Sequence, residues 1–252
     1  MISEKLILKH HKILITGASS GIGKTLAIKL SSLGANVFIT GRSTDRLDET
    51  YINLSGTGHA QEVFDFKDCD GSYNWIMEFS KKYGPFNGLF HSAGLEQIKP
   101  IRSVKQNDID NILGGSLMSA FGLVRGCFND KVMQRDSSIV LMSSVASMRG
   151  IPGMSVYSVT KAGINALTRT ASRELAVKKI RVNAILAGEV KTEMHDRIMS
   201  NISDEGLNQI RQQHPLGFGE PDDVNNLAVF LLSKNSRWIS GSLIAADGGY
   251  LS

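Results

Sequence analysis

The sequence predicts an α/β fold of Rossmann type. It would be a doubly wound parallel sheet of about seven strands with helices on both faces, three layers deep. Three observations carry this expectation. Short apolar strands alternate with amphipathic helices along the whole chain, which implies βαβ units and a parallel sheet covered on both sides. A glycine-rich turn joins the first strand to the first helix. No linker, internal repeat or low-complexity stretch divides the 252 residues, so one domain spans 1–252.

Lys12–Thr16 (KILIT) reads as a buried strand, and Ile22, Leu26, Leu30 and Leu33 then recur at helical spacing. Gly34 ends that helix, and Asn36–Thr40 (NVFIT) is the next strand. Further strands are expected at Gly88–His91, Ser138–Met142, Ile180–Leu186 and Leu243–Ala246. Long helices are expected over Ser155–Lys178 and Pro221–Leu232. The excursion 187–215 is the least regular segment. Because it follows a strand end on the side where ligands sit, it is expected to be a mobile lid over a substrate.

Bulk composition narrows the function classes. Hydrophobic residues make up 42% and charged residues 21%, as in a globular chain rather than a disordered one. The net charge of +4 is dispersed and no long run of one sign occurs, which argues against a nucleic-acid surface and fits a mildly basic protein that binds anionic cofactors. Cys69 and Cys127 have no metal-ligand spacing and read as free, buried thiols in a reducing compartment. Met1 to Lys12 lacks a signal-like apolar core, and no run of roughly 18 apolar residues occurs, so a cytoplasmic location away from membranes is expected.

The chemistry begins at Thr16-Gly17-Ala18-Ser19-Ser20-Gly21-Ile22-Gly23. Glycine lets the backbone turn sharply and approach a ligand closely. The following helix N-terminus offers free N–H groups and partial positive charge to a pyrophosphate. The spacing is G-x-x-x-G-x-G, neither the commonest dinucleotide fingerprint nor a Walker loop. This motif, with agreement from about Lys12 to Gly249, resembles the short-chain dehydrogenase/reductase family, and particularly its 3-oxoacyl-ACP reductase-like members.

At the end of the second strand stands Thr40-Gly41-Arg42-Ser43, with no acid to take a ribose 2′-OH. Arg42 can pair bidentately with a 2′-phosphate and Ser43 can add a hydrogen bond, so NADP(H) is expected over NAD(H). By resemblance, Asp65-Phe66 falls at the adenine position, and Ser92, Ala93 and Gly94 at the strand-end segment beside the cofactor. Gly188, Val190 and Thr192 fall in a turn that meets the carboxamide and phosphates.

Tyr157 and Lys161 start a long helix at i and i+4, so phenol and ammonium share one face. A free phenol titrates near 10, and a neighbouring cation is expected to draw it toward working pH, fitting it to pass a proton to a carbonyl oxygen or take one from an alcohol. Ser144 closes a strand thirteen residues before Tyr157 and matches the family's catalytic serine, with Ser143 as the alternative. The resemblance also implies that Lys161 contacts the nicotinamide ribose, and that the chain forms a homodimer or homotetramer.

Three departures stand out. His91-Ser92 replaces two asparagines, with His91 read as a structural histidine. Ser116 falls where the family's fourth catalytic residue, an asparagine, holds a proton-relaying water, and Gly114-Gly115 beside it allow the helix to bend. Ala187 replaces a proline. The leading reading is an NADPH-using reductase that interconverts a carbonyl and an alcohol. Met194, His195, Arg197, Met199 and His214 in the substrate segment point to an anionic small molecule such as a 3-oxoacyl thioester or a nucleotide-linked sugar. The alternative, motivated by Ser116, is an NADP-binding regulatory or scaffold protein with weak turnover.

Overall fold

The structure, a computed structural model, describes residues 8–200 and 203–252. Parts of the expectations for the N-terminus and for the 187–215 excursion lie outside the described residues. Strands β1 (Lys12–Thr16), β2 (Asn36–Gly41), β3 (Ala60–Val63), β4 (Phe86–His91), β5 (Met133–Ser144), β6 (Arg181–Ala187) and β7 (Leu243–Ala246) form one parallel sheet. Their order is β3-β2-β1-β4-β5-β6-β7. The helices are α1 (Gly21–Ser32), α2 (Thr44–Ile52), α3 (Cys69–Tyr83), α4 (Gln106–Ile112), α5 (Ser119–Gly126), α6 (Ser155–Glu174), α7 (Glu193–Met199), α8 (Asp204–Gln212) and α9 (Pro221–Leu232).

Period-two alternation sorts the strand residues between two cores. Ile13, Ile15, Val37, Ile39, Phe90, Val140 and Met142 pack under α1 and α9, against Leu26, Leu30, Val224 and Ala228. Leu14, Phe38, Leu89, Ile139 and Leu141 point the other way, against α3, α5 and α6. Both faces are buried, so the central strands read as continuous apolar runs. Each such large side chain contributes about 1.5–3 kcal/mol by leaving water. On the second face Phe79 stacks on Trp75 at 4.7 Å between centroids and meets Phe38 edge-on at 6.5 Å.

Several expectations need correction. The strand expected at Ser138–Met142 begins at Met133, because a bulge at the exposed Gln134–Asp136 lets the polar lead-in keep pairing with β4. The least regular segment is not irregular: it carries α7 and α8. Cys127 is buried, and burial pushes its thiol up to about 12, so it is inert. Cys69 is only half-buried, because it opens α3 at the surface. Among the described residues no helix is long and apolar enough to cross a membrane, and no cluster of metal-binding side chains occurs.

The chain reverses its direction of sheet growth between β1 and β4. Ligands of doubly wound sheets bind outside the carboxyl ends of the strands at such a switch point. Thr16 and His91 end these two strands directly opposite each other.

Candidate active site

A cavity of about 1210 Å³ opens above that switch point. Gly17, at the end of β1, has φ +70°. A Cβ there would stand 2.6 Å from the Ala93 backbone nitrogen, so the turn and the β4 end approach as closely as only glycine allows. Ser92 Oγ donates to the Thr16 carbonyl at 2.8 Å and ties the same two strand ends. Ser20 occupies the N-cap of α1 without its side chain making a capping bond. The first-turn N–H groups therefore face the cavity, and one of them, on Gly21, donates to Glu193 Oε2 at 2.9 Å. Gly17, Ser19, Ser20, Gly21, Ile22 and Gly23 all line this end. The tight cradle, the uncommitted Ser20 hydroxyl and the helix N-terminus fit the pyrophosphate of a dinucleotide.

Beyond β2, Arg42 sits at the cavity mouth with its Nε 3.9 Å from Asp65 Oδ1, and Lys67 Nζ lies 3.2 Å from Asp65 Oδ2. Arg46, one turn further along α2, lines the same mouth. Two cations thus flank one carboxylate and a third lines the same mouth, and the sequence reading found only Arg42. Ser43 is the N-cap of α2 and is not part of the cavity wall. Phe66 lines the floor, with its ring locked edge-on against Trp75 at 5.1 Å.

The opposite wall is built by β5 and α6. Ser144 ends β5 and its Oγ accepts from Ala146 N–H at 3.2 Å. Ser143 is buried and donates to the Lys161 carbonyl at 3.2 Å, so Ser144 is the hydroxyl that stands beside Tyr157. Lys161 is 6% exposed. Its Nζ donates to the Met142 carbonyl at 2.9 Å and lies 5.5 Å from the centre of the Tyr157 ring. Burial lowers the ammonium to about 8, against the opposing pull of Glu96. The phenol behaves differently from expectation. Burial raises Tyr157 above its ordinary value, and Glu96 and Glu189 add to the rise, while the Ser144 hydroxyl pulls the other way. Desolvation and two carboxylates outweigh the Ser144 hydrogen bond, so Tyr157 stands as a protonated phenol.

His91 is 2% exposed and fully engaged. Thr16 Oγ1 lies 2.7 Å from Nδ1, and Nε2 lies 3.2 Å from the Ser116 carbonyl. The carbonyl can only accept, which assigns the proton to Nε2 and leaves Nδ1 to accept from Thr16. Burial lowers this imidazole to about 4, so it is a neutral structural brace. Ser116 lies in a π-helical turn, Leu113–Met118, between α4 and α5. Gly114 in this turn packs onto the Lys67 carbonyl, where a Cβ would collide. The Ser116 hydroxyl accepts from Leu95 N–H at 3.1 Å, and its carbonyl also takes Ser119 Oγ at 2.9 Å. Ser116 is 1% exposed and is not among the residues that line the cavity.

Gly188, Val190 and Thr192 line the cavity after β6. Of the substrate-segment residues, His195 binds Glu189 at 2.7 Å and His214 stacks on Tyr250 at 4.6 Å between ring centres. Met194, Arg197 and Met199 also line the wall. The sequence reading missed the acids that share it, Glu96 and Glu193, and gave Glu189 no role. Glu96 sits deepest in charge and burial effects. Burial and the charge of Glu189 push it up to about 7, against Lys161 and Arg197.

A parallel sheet in this order, with a glycine cradle at its switch point and a serine, tyrosine and lysine on the facing wall, defines a dinucleotide-dependent oxidoreductase. The chain belongs to the short-chain dehydrogenase/reductase family: residues 17–251 match the family model described as Enoyl-(Acyl carrier protein) reductase. It is similar to the 3-oxoacyl-[acyl-carrier-protein] reductase FabG of Thermotoga maritima, 32% identical over 239 residues, covering 94% of this chain and 96% of that one. A Sinorhizobium meliloti structure assigned as a short-chain alcohol dehydrogenase superposes with a TM-score of 0.88 at 30% identity, over 97% of this chain and 98% of that one. A Beutenbergia cavernae structure assigned as an NAD(P)-dependent gluconate 5-dehydrogenase, with NADP bound at low occupancy, gives 0.88 at 27%, over 98% and 99%. The chain is an NAD(P)-dependent oxidoreductase of this family.

Proposed function

We propose that the protein is an NADPH-dependent reductase that converts a ketone to an alcohol, with Tyr157 as the proton donor. The observation that carries the reading is the placement of Ser144, Tyr157 and Lys161 on one wall of the cavity that the glycine turn closes. NADPH supplies the hydride. Gly17, Ser19, Ser20, Gly21, Ile22 and Gly23 would hold the pyrophosphate, and Arg42, with Arg46 and Lys67, would take the 2′-phosphate. Ser43, next in the chain, is the N-cap residue of α2. Asp65 and Phe66 would border the adenine, while Ser92, Ala93, Gly94, Gly188, Val190 and Thr192, which line the same cavity, would bound the rest of the dinucleotide. Ser144 orients the carbonyl oxygen, Tyr157 gives it a proton, and the buried Lys161 charge lowers the cost of the phenolate left behind.

The substrate we propose is a 3-oxoacyl thioester, the class named for the Thermotoga relative, with a nucleotide-linked ketosugar as the second candidate. Cytoplasmic location and self-association belong to the same proposal. Phe121 on α5 and Val159 on α6 are 50% and 64% exposed, apolar groups that a second copy would cover. The test mixes the protein with NADPH and a panel of simple ketones, 3-oxoacyl thioesters and nucleotide-linked ketosugars, following loss of the reduced-nicotinamide absorbance. Turnover of one class fixes the substrate. Tight NADPH binding with no turnover anywhere would replace the reductase with a cofactor-binding regulator.

A further inference from the structure

We propose that Glu96 carries protons between solvent and Tyr157, in a chain whose Ser116 is already engaged in other bonds. The inference rests on the reductase reading above. Each reduction strips Tyr157 of a proton, and the phenolate must be refilled before the next. A water-held relay at Ser116 would have to compete with bonds that the residue already makes. The hydroxyl accepts from Leu95 N–H at 3.1 Å, and the carbonyl is taken by His91 Nε2 at 3.2 Å and Ser119 Oγ at 2.9 Å. The residue is 1% exposed and is not among those that line the cavity.

The contact that engages the Ser116 hydroxyl positions the substitute. By fixing Leu95 N–H, Ser116 anchors the backbone immediately before Glu96, and Glu96 lines the cavity together with Tyr157 and Lys161. Its charge acts on both of them. Among the described residues no hydrogen-bond donor holds the Glu96 carboxylate, whereas Glu189 opposite is fastened to His195 at 2.7 Å. The charged and titratable groups facing Glu96 are Tyr157 and Lys161 from α6, Glu189 from the turn after β6, and Arg197 from α7. Burial and Glu189 outweigh the cations and hold the carboxyl near 7, where it can both give and regain a proton at neutral pH.

The step balances without any further reactant. The Tyr157 O–H bond breaks as the substrate oxygen takes its proton, and the hydride comes from NADPH. The Glu96 O–H bond then breaks, and its proton passes to the phenolate directly or through one water. Solvent returns a proton to the carboxylate, and no electrons pass through Glu96. Because it acts through Tyr157, Glu96 is a positioning residue.

The experiment measures kcat against pH, and in heavy water, for wild type, Glu96→Gln and Glu96→Asp, with NADPH and acetoacetyl-CoA or the best ketone of the panel. We expect wild-type reduction to decline as pH rises through about 7, as Glu96 loses its proton. Glu96→Gln lowers kcat about tenfold or more, removes that limb and enlarges the solvent isotope effect, with NADPH affinity held within about twofold. Glu96→Asp recovers part of the rate, and added formate rescues the Gln variant. An unchanged kcat and profile in Glu96→Gln, a change confined to KM, or a loss indifferent to formate and pH overturns the relay and leaves the reductase standing. A wild-type protein inert on the whole panel removes the reductase reading and the relay with it, and turnover that survives Tyr157→Phe removes Tyr157 as the donor and the relay while the reductase stands.

Discussion

The Glu193 carboxylate accepts a hydrogen bond from the Gly21 N–H at 2.9 Å, joining residues 172 positions apart in the chain. It ties the first helix of the substrate segment to the N-terminus of α1, where the helix dipole attracts negative charge. A cofactor pyrophosphate seeks the same N–H. Glu193→Ala should therefore tighten NADPH binding roughly 2–5-fold, the scale of one helix-terminus charge interaction. Fluorescence titration measures it. Weaker binding in the variant would show that Glu193 clamps the cofactor rather than competing with it.

Arg42 sets cofactor choice. Its guanidinium lies 3.9 Å from Asp65 at the cavity mouth, available to a 2′-phosphate. Arg42→Asp removes a charge-assisted pair and adds repulsion, which should cost NADPH about 10–100-fold in affinity and shift preference toward NADH. Paired kcat/KM values for the two cofactors check this, and an unchanged ratio would exclude contact with the phosphate.

His91 makes stability depend on pH. Unfolded, its imidazole titrates near 6.5, and folded, near 4. Between these values the unfolded chain binds a proton that the folded chain refuses, so stability rises with pH across this window. The contribution is complete above about 6.5 and is lost as pH falls toward 4, on the order of 3 kcal/mol in total. Denaturant midpoints of wild type should fall over that range. His91→Asn, which cannot titrate, should flatten the slope. An identical slope in the variant would assign the dependence elsewhere.

Much of this was readable in the sequence where local pattern and local structure coincide. β1 and β7 have the bounds expected, because each is a short apolar run between turn residues. Tyr157 and Lys161 were readable because one helical turn fixes their separation. β3 had no bounds legible in the sequence, because a half-exposed edge strand reading Ala-Gln-Glu-Val has no apolar run. The phenol's raised titration was not readable, since it depends on Glu96 and Glu189, which only the fold brings to Tyr157. The Glu193–Gly21 contact leaves no periodic trace, being a meeting of two helix starts distant in the chain. The helices α7 and α8 were hidden by their shortness and polarity.

The most direct test of the central claim is turnover by Tyr157→Phe, with NADPH affinity measured on the same preparation. Deleting one phenolic oxygen from a half-buried side chain leaves the ring, the helix and the cofactor cradle in place. The account predicts that ketone reduction falls by about 100-fold or more while the NADPH Kd changes by no more than about threefold. Reduction at close to the wild-type rate would contradict it, because the proton would then come from some other group.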